Sequence, residues 1–211
     1  MDFPNLTPDL AEVIGVNLGD GCVSRTRNGT STAHVVAFTA HPSEYWYYES
    51  FVKPTLESFF SVRCHLYLRS DNTTRLHICS KKMVTFLESL GLPIGKKIDA
   101  SIPELILRQG LVIPFIRGLY HAEGSIYRRY SKKYNTHAKV YDNLLVIQIR
   151  MKLRTLMHQL AEELAKLEIR ATRLTEKDGV YTLRITSQEQ ITKFLAIIQP
   201  KYKLVPHTTR L

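Results

Sequence analysis

An internal repeat constrains this chain more than any other feature, because a string of elements that occurs twice must fold twice and then pack against itself. Residues 10–23, LAEVIGVNLGDGCV, align with residues 113–126, IPFIRGLYHAEGSI, setting Gly15 over Gly118, Asp20 over Glu123 and Gly21 over Gly124. Further on, Val62 to Cys64 matches Ile169 to Ala171, and the run ending at Ser80 matches the run ending at Ser187. The offset grows between these two matches by about four residues, so the second copy is expected to carry a longer connection in the basic stretch near 130–141.

Each copy reads as the same order of elements. An apolar-periodic helix, 9–19 or 111–122, is followed by two strands within 22–39 or 125–150, joined by polar turns at Asn28-Gly29 in copy one and at Asn135 or Asp142-Asn143 in copy two. A second helix (43–60; 153–167), a hairpin turning at Asp71-Asn72 or Asp178-Gly179, and a last helix (81–90; 187–198) complete the unit before Pro93 or Pro200. The pattern is αββαββα twice, an α+β fold of two pseudo-symmetric half-domains, 1–108 and 109–211, each with one antiparallel sheet.

Strand alternation predicts which sheet face is wet. His65, Tyr67 and Arg69 alternate with Cys64, Leu66 and Leu68, and Arg75 and His77 alternate with Leu76 and Ile78; in the second copy Thr182 and Arg184 alternate with Leu183 and Ile185. Charge adds to this. Residues 1–108 hold eleven basic and eleven acidic side chains, so the whole net charge of +10 lies in the second half. Basic residues gather on predicted strands and acids on predicted helices, the distribution that a phosphate-binding surface requires. No run of 18 apolar residues occurs, and the first ten residues lack the basic-then-apolar order of a signal peptide, so an intracellular protein without membrane contact is expected. Three cysteines and no C-x-x-C argue against a disulfide framework or zinc knuckle.

The repeated helix carries the chemistry. Gly15 and Gly19, and Gly118 and Ala122, are small residues four apart, so two such helices can approach until their backbones touch. Each helix ends in an acid, Asp20 or Glu123, at the negative end of its macrodipole, where two carboxylates brought together need a cation. Those carboxylates and the carbonyl oxygens of Gly19 and Ala122 form a hard oxygen set suited to Mg²⁺, with Mn²⁺ as a substitute.

These residues make the chain similar to the LAGLIDADG homing endonucleases in their two-repeat, single-chain form: LAEVIGVNLGDG and FIRGLYHAEG resemble the family's signature in both copies. The resemblance implies a monomeric, metal-dependent, site-specific endonuclease of mobile-intron origin, with Asp20 and Glu123 as catalytic metal ligands. It also implies two sheets forming a saddle in the major groove, a double-strand break with 3′ overhangs, and a place in cytoplasm, nucleoid or organelle matrix with access to DNA. Strand length suggests about two turns of duplex. Ser24, Arg25, Thr26, Arg27, Asn28, His65, Tyr67, Arg69, Arg75 and His77 are the candidate contacts of the first copy. Tyr127, Arg128, Arg129, Ser131, Lys139, Gln148, Arg150, Lys152 and Arg184 are those of the second. The family's frequent Gln-Lys pair is absent, Thr39-Ala40-His41 and Arg150-Met151-Lys152 standing there instead. A basic residue beside each metal centre is expected from Lys96 or Lys97 and from Lys201 or Lys203. The alternative is an RNA-splicing maturase, with intron RNA as partner, or a non-cleaving regulator. A zinc deaminase, suggested by His121-x-Glu123, lacks the paired cysteines it needs. No obligate protein partner is expected, and the ends show no splicing-junction residues of an intein.

Overall fold

A computed structural model describes residues 5–134 and 137–202, with side chains throughout except at Asn28, 130–134 and 137–143. Helix α1 (Pro8–Asp20) starts where Thr7 accepts a hydrogen bond from the Leu10 amide at 3.1 Å, with Pro8 at a position whose missing N–H costs nothing. It runs directly into β1 (Gly21–Asn28), which turns at Gly29, φ +58°, into β2 (Ser31–Ala40). Next come a 3-10 turn (Pro42–Glu44), α2 (Tyr45–Tyr47), a π turn (Tyr48–Val52) and α3 (Lys53–Phe60). The hairpin of β3 (His65–Leu68) and β4 (Thr74–Cys79) and then α4 (Lys81–Ser89) complete the first copy.

The 42–60 helix is therefore not the single regular helix expected from its periodicity. Pro54 has no N–H to return to the preceding turn, and the ladder widens to π geometry just before it. A short helix that the periodicity did not mark, α5 (Glu104–Arg108), follows in the connection. The second copy comprises α6 (Val112–Glu123), β5 (Gly124–Tyr134), β6 (His137–Met151), α7 (Arg154–Lys166), β7 (Thr175–Lys177), β8 (Val180–Ile185) and α8 (Gln188–Ile198).

The two antiparallel sheets have the same order, β1-β2-β4-β3 and β5-β6-β8-β7. Among the described residues, helices α1 and α4 contact the first sheet and α6, α7 and α8 the second. The extra residues of the second copy do not form a loop. They lengthen β5 and β6 to 11 and 15 residues, against 8 and 10 in β1 and β2, with the register shifting between Arg128 and Arg129. Tyr130, Tyr134, Val140 and Tyr141, aromatic or β-branched, favour strand over coil in this stretch. One continuous core runs through both halves, from Phe38, Leu56 and Ile78 to Leu119, Ile147 and Phe194.

Register fixes the faces. Val23, Val36, Phe38, Leu76 and Ile78 point to the helices, whereas Ser24, Thr26, Arg75, His77, His65 and Tyr67 share the opposite face. Arg25 and Arg27 lie in phase with Val23, on the helix side, and Arg25 forms a two-pronged ion pair with Glu88 of α4. Arg128, opposite Leu145 and in phase with Ile126, takes the equivalent place in the second sheet. These three arginines are thus removed from the groove-facing set, because neighbours along a strand point to opposite faces.

Candidate nucleic-acid interface and acid centre

Helices α1 and α6 cross in backbone contact. A β-carbon added to Gly118 would lie 1.8 Å from the Glu12 carbonyl oxygen, and one on Gly15 would lie 2.2 Å from that of Phe115. At the far end a β-carbon on Gly19 would sit 2.3 Å from Ala122 Cβ and 2.9 Å from Glu123 Cγ. The small residues therefore bring the two C-termini, and the acids that end them, to one place. Each acid is followed by a glycine in extended backbone, Gly21 or Gly124, where a side chain would strike Asn17 or Tyr120. The chain can thus leave each helix straight into a sheet.

Lys97 lies at the C-terminal end of α1, in the cleft that Glu123 also lines. Its ammonium donates to the carbonyl oxygens of Asn17, Leu18 and Gly19 at 2.8–2.9 Å, capping α1 with the positive charge its dipole favours. Burial pulls its pKa below the usual lysine value, while the charges of Glu123 and Asp20 pull the other way. Asp20 accepts a hydrogen bond at 3.1 Å from the hydroxyl of Tyr48, the first residue of the π turn. Tyr48 is buried, and burial together with the Asp20 charge drives its pKa well up, so the hydroxyl remains a donor. A cleft of about 390 Å³ opens beside Glu123, lined by Gly19, Lys97, Arg150 and Lys152. A groove of about 420 Å³ at the opposite end of α1, between Asp9 and Phe59, is remote from this chemistry.

The other candidate lysines separate from the centre. Lys96 is exposed, and Lys203 lies outside the described residues. Lys201 instead binds both carboxylate oxygens of Glu12 at 2.9 Å. Glu12 is fully buried and also accepts from Tyr47 at 2.8 Å and from Arg117 at 3.2 Å. Burial alone would raise its carboxyl, but hydrogen bonds from His121, Lys201 and Tyr47 and the Lys201 charge outweigh that and hold its pKa at about 2. The backbone N–H of Lys201 points at His121 Nε2, 3.0 Å away, so that nitrogen is the acceptor and Nδ1 carries the proton toward Tyr47, also 3.0 Å away. Tyr202 closes the cluster by donating to the His121 carbonyl oxygen.

On the outer sheet faces, Arg75 is steadied by Thr39 at 2.7 Å and Arg69 by Asp71 at 3.1 Å. Tyr127, Gln148 and Arg184 are linked, while Arg129 and Arg150 are exposed. Asn28, Ser131 and Lys139 stand on strands, but their side chains lie outside the described set. Sequence reasoning missed Tyr48, Glu12, Arg117 and Tyr202 as parts of the site. Glu12 and Arg117 carry a signal, each a charge inside a largely apolar helix run, which demands buried partners. Among the described residues no group of three or more His, Cys, Asp and Glu could hold a metal, so the centre offers two carboxylates and carbonyl oxygens.

Two matched αββαββα units, joined by helices that touch at glycines and end in acids, define the class of the two-copy LAGLIDADG fold. Residues 111–199 match the family described as the LAGLIDADG-like domain. The fold of the whole chain is that of the single-chain LAGLIDADG homing endonucleases. I-DmoI in complex with DNA and Mn superposes with a TM-score of 0.65 at 22% identity, covering 94% of this chain and 99% of that one. The meganuclease I-AabMI bound to uncleaved DNA gives 0.61 at 15% identity, covering 95% and 85%. Two curated archaeal relatives match in sequence. The tRNA-splicing ligase RtcB of Methanopyrus kandleri is 27% identical over 137 residues, 62% of this chain and 14% of its own. The replication factor C small subunit of Methanocaldococcus jannaschii is 29% identical over 119 residues, 56% of this chain and 6% of its own. The chain thus spans a small part of the length of either relative, and their names describe far longer proteins. No helix among the described residues is long and apolar enough to cross a membrane.

Proposed function

We propose that this chain is a site-specific DNA endonuclease that hydrolyses one phosphodiester in each strand of a long, asymmetric duplex, leaving 3′ overhangs. The observation that carries the reading is the meeting of Asp20 and Glu123 at the touching C-termini of α1 and α6, each one residue before a sheet with a polar, basic outer face. A boundary between residues 108 and 109, at the end of α5, divides the chain into the half-domains that bind the two half-sites.

The donor set fits a hard divalent cation, since carboxylates and carbonyl oxygens at two helix C-termini concentrate negative charge. Asp20 and Glu123 would hold it, with the carbonyl oxygens of Gly19 and Ala122 beside them. When bound, such an ion, Mg²⁺ or Mn²⁺, supplies charge neutralisation at the phosphate and a water of lowered pKa. The chain's own residues do the rest. Tyr48 fixes the orientation of the Asp20 carboxylate, Lys97 places a half-buried positive charge near both acids, and Arg150 and Lys152 line the cleft next to Glu123, where a phosphate would be drawn in. Ser24, Thr26, His65, Tyr67, Arg69, Arg75 and His77 form the outer face that would meet one half-site, and Tyr127, Arg129, Gln148, Arg150 and Arg184 the other.

The test is selection of binding duplexes in Ca²⁺ followed by Mg²⁺ addition, for the unaltered chain, Asp20→Asn and Glu123→Gln. Cleavage of both strands at one position, with either variant binding but failing to break both, is the expected result. Tight binding without cleavage by the unaltered chain would replace this reading with that of a binding regulator. Preference for structured intron RNA over every duplex would replace it with that of a maturase.

A further inference from the structure

The outer face of the second sheet holds a hydrogen-bonded cluster whose polarity is fixed by chemistry. Tyr127 on β5 donates its hydroxyl to Gln148 Oε1 at 3.1 Å, and Arg184 on β8 donates Nε to the same oxygen at 3.1 Å. Gln148 and Arg184 are directly paired across β6 and β8, and Tyr127 lies diagonally across from Gln148 on β5. An arginine Nε can only donate, so the amide atom facing it must be oxygen, and the usual two-fold ambiguity of a glutamine side chain disappears.

With two donors already on Oε1, Gln148 faces outward through its Nε2 hydrogens. Arg184, its Nε spent, faces outward through its Nη hydrogens. Among the described residues neither set has a partner. An unencumbered glutamine reads adenine by donating to N7 and accepting from N6, and this one has lost its acceptor. A surface that only donates matches a base edge that only accepts, and in the major groove that edge is N7 and O6 of guanine.

We propose that Tyr127, Gln148 and Arg184 form a guanine reader for the half-site bound by the second sheet, an inference that rests on the endonuclease reading above. Gln148 and Arg184 touch the base, and Tyr127 is the positioning residue. Gln148 lies two residues along β6 from Arg150, which borders the cleft beside Glu123, so the guanine falls roughly two to four base pairs from the cut. The equivalent places in the first sheet hold Ser24, Ala37 and His77, which cannot build the cluster. The preference therefore belongs to one half-site and has no mirror image in the other.

The experiment uses the full chain with a duplex library randomised in both half-sites, bound in Ca²⁺. A single guanine, at the stated distance from the cut and in one half-site only, is the expected selection. Placing 7-deazaguanine there, which removes the N7 acceptor, should weaken binding roughly 5- to 150-fold. Gln148→Glu, which reverses the polarity, should abolish the guanine preference. Tyr127→Phe should raise acceptance of adenine at that position relative to guanine while leaving the melting temperature unchanged, a shift in base preference that a merely structural role would not produce. Selection of adenine or a pyrimidine there by the unaltered chain would overturn the inference. So would an Arg184→Ala loss that is equal for all sequences, the mark of a phosphate contact. Failure to select any duplex removes the endonuclease reading itself, and the inference with it.

Discussion

Replacing Gly118 with alanine asks how closely the two central helices must approach. The added carbon would stand 1.8 Å from the Glu12 carbonyl oxygen, whereas ordinary contact begins at 3.4 Å, so the helices must part by more than an ångström at their crossing. Backbone on both sides leaves nothing flexible to yield. Overpacking of this kind costs about 1–3 kcal/mol in general, and a clash with backbone belongs at or above the upper end. Alanine returns about 1 kcal/mol through helix propensity, leaving a net loss of about 2 kcal/mol or more. For a chain of this length that corresponds to a fall in melting temperature of roughly 4–8 °C. Gly15→Ala, with a 2.2 Å approach, should be milder. Thermal unfolding of both variants in metal-free buffer measures this. A Gly118→Ala protein melting at or above the unaltered temperature would refute the close crossing, and with it the explanation of why the two acids meet.

Three other outcomes follow from the geometry. Glu12 has a folded pKa of about 2 against an ordinary 4.5, so its contribution of about 3 kcal/mol is complete above pH 4.5 and is lost as pH falls toward 2; in Glu12→Gln, denaturant unfolding followed against pH should show lower neutral stability and a flattened acid limb, and an unchanged acid limb would contradict the assignment. Tyr48→Phe should slow cleavage about tenfold with Ca²⁺-supported binding intact, as expected for losing one hydrogen bond to a charged group; an unchanged rate would show that Asp20 needs no such support. Salt titration on separate half-site duplexes should give the steeper slope for the second half, which holds all the net charge, and equal slopes would contradict that division.

The repeat, the paired glycines and the terminal acids were legible because each is a spacing along the chain, and spacing survives translation into structure. Strand phase was only half legible. Ser24 and Arg25 are both polar, and the adjacent apolar pair Cys22-Val23 leaves the phase of β1 open; the burial of Val23 and the pairing of Arg25 with Glu88, 63 residues away, show which one faces the helices. Tyr48 was hidden for a different reason. A π turn shifts the angular phase of the residues around it, so a regular helical period aims that side chain wrongly. The basic stretch after Arg129 read as a loop because its run of charges and its polar residues Asn135, Asp142 and Asn143 resemble turn composition, although β5 and β6 continue through most of it. Between Lys96 and Lys97, adjacent and chemically alike, only the path after α4 chooses, and it turns Lys97 onto the carbonyl oxygens of α1.

The buried cluster around Glu12 bears on whether the halves are interchangeable parts. One half supplies the acid and Tyr47; the other supplies Arg117, His121 and Lys201. At the places in the opposite copy that match Glu12, Arg117 and His121 stand Phe115, Ile14 and Leu18, all buried and apolar. A symmetric assembly of two first halves would confront buried carboxylates with no cation, and one of two second halves would strand several positive charges without an acid. The cluster therefore works as a key cut for one heterologous pairing. A chimera that grafts a foreign half onto this chain must bring the matching members with it, or dock its acids and its sheets out of register.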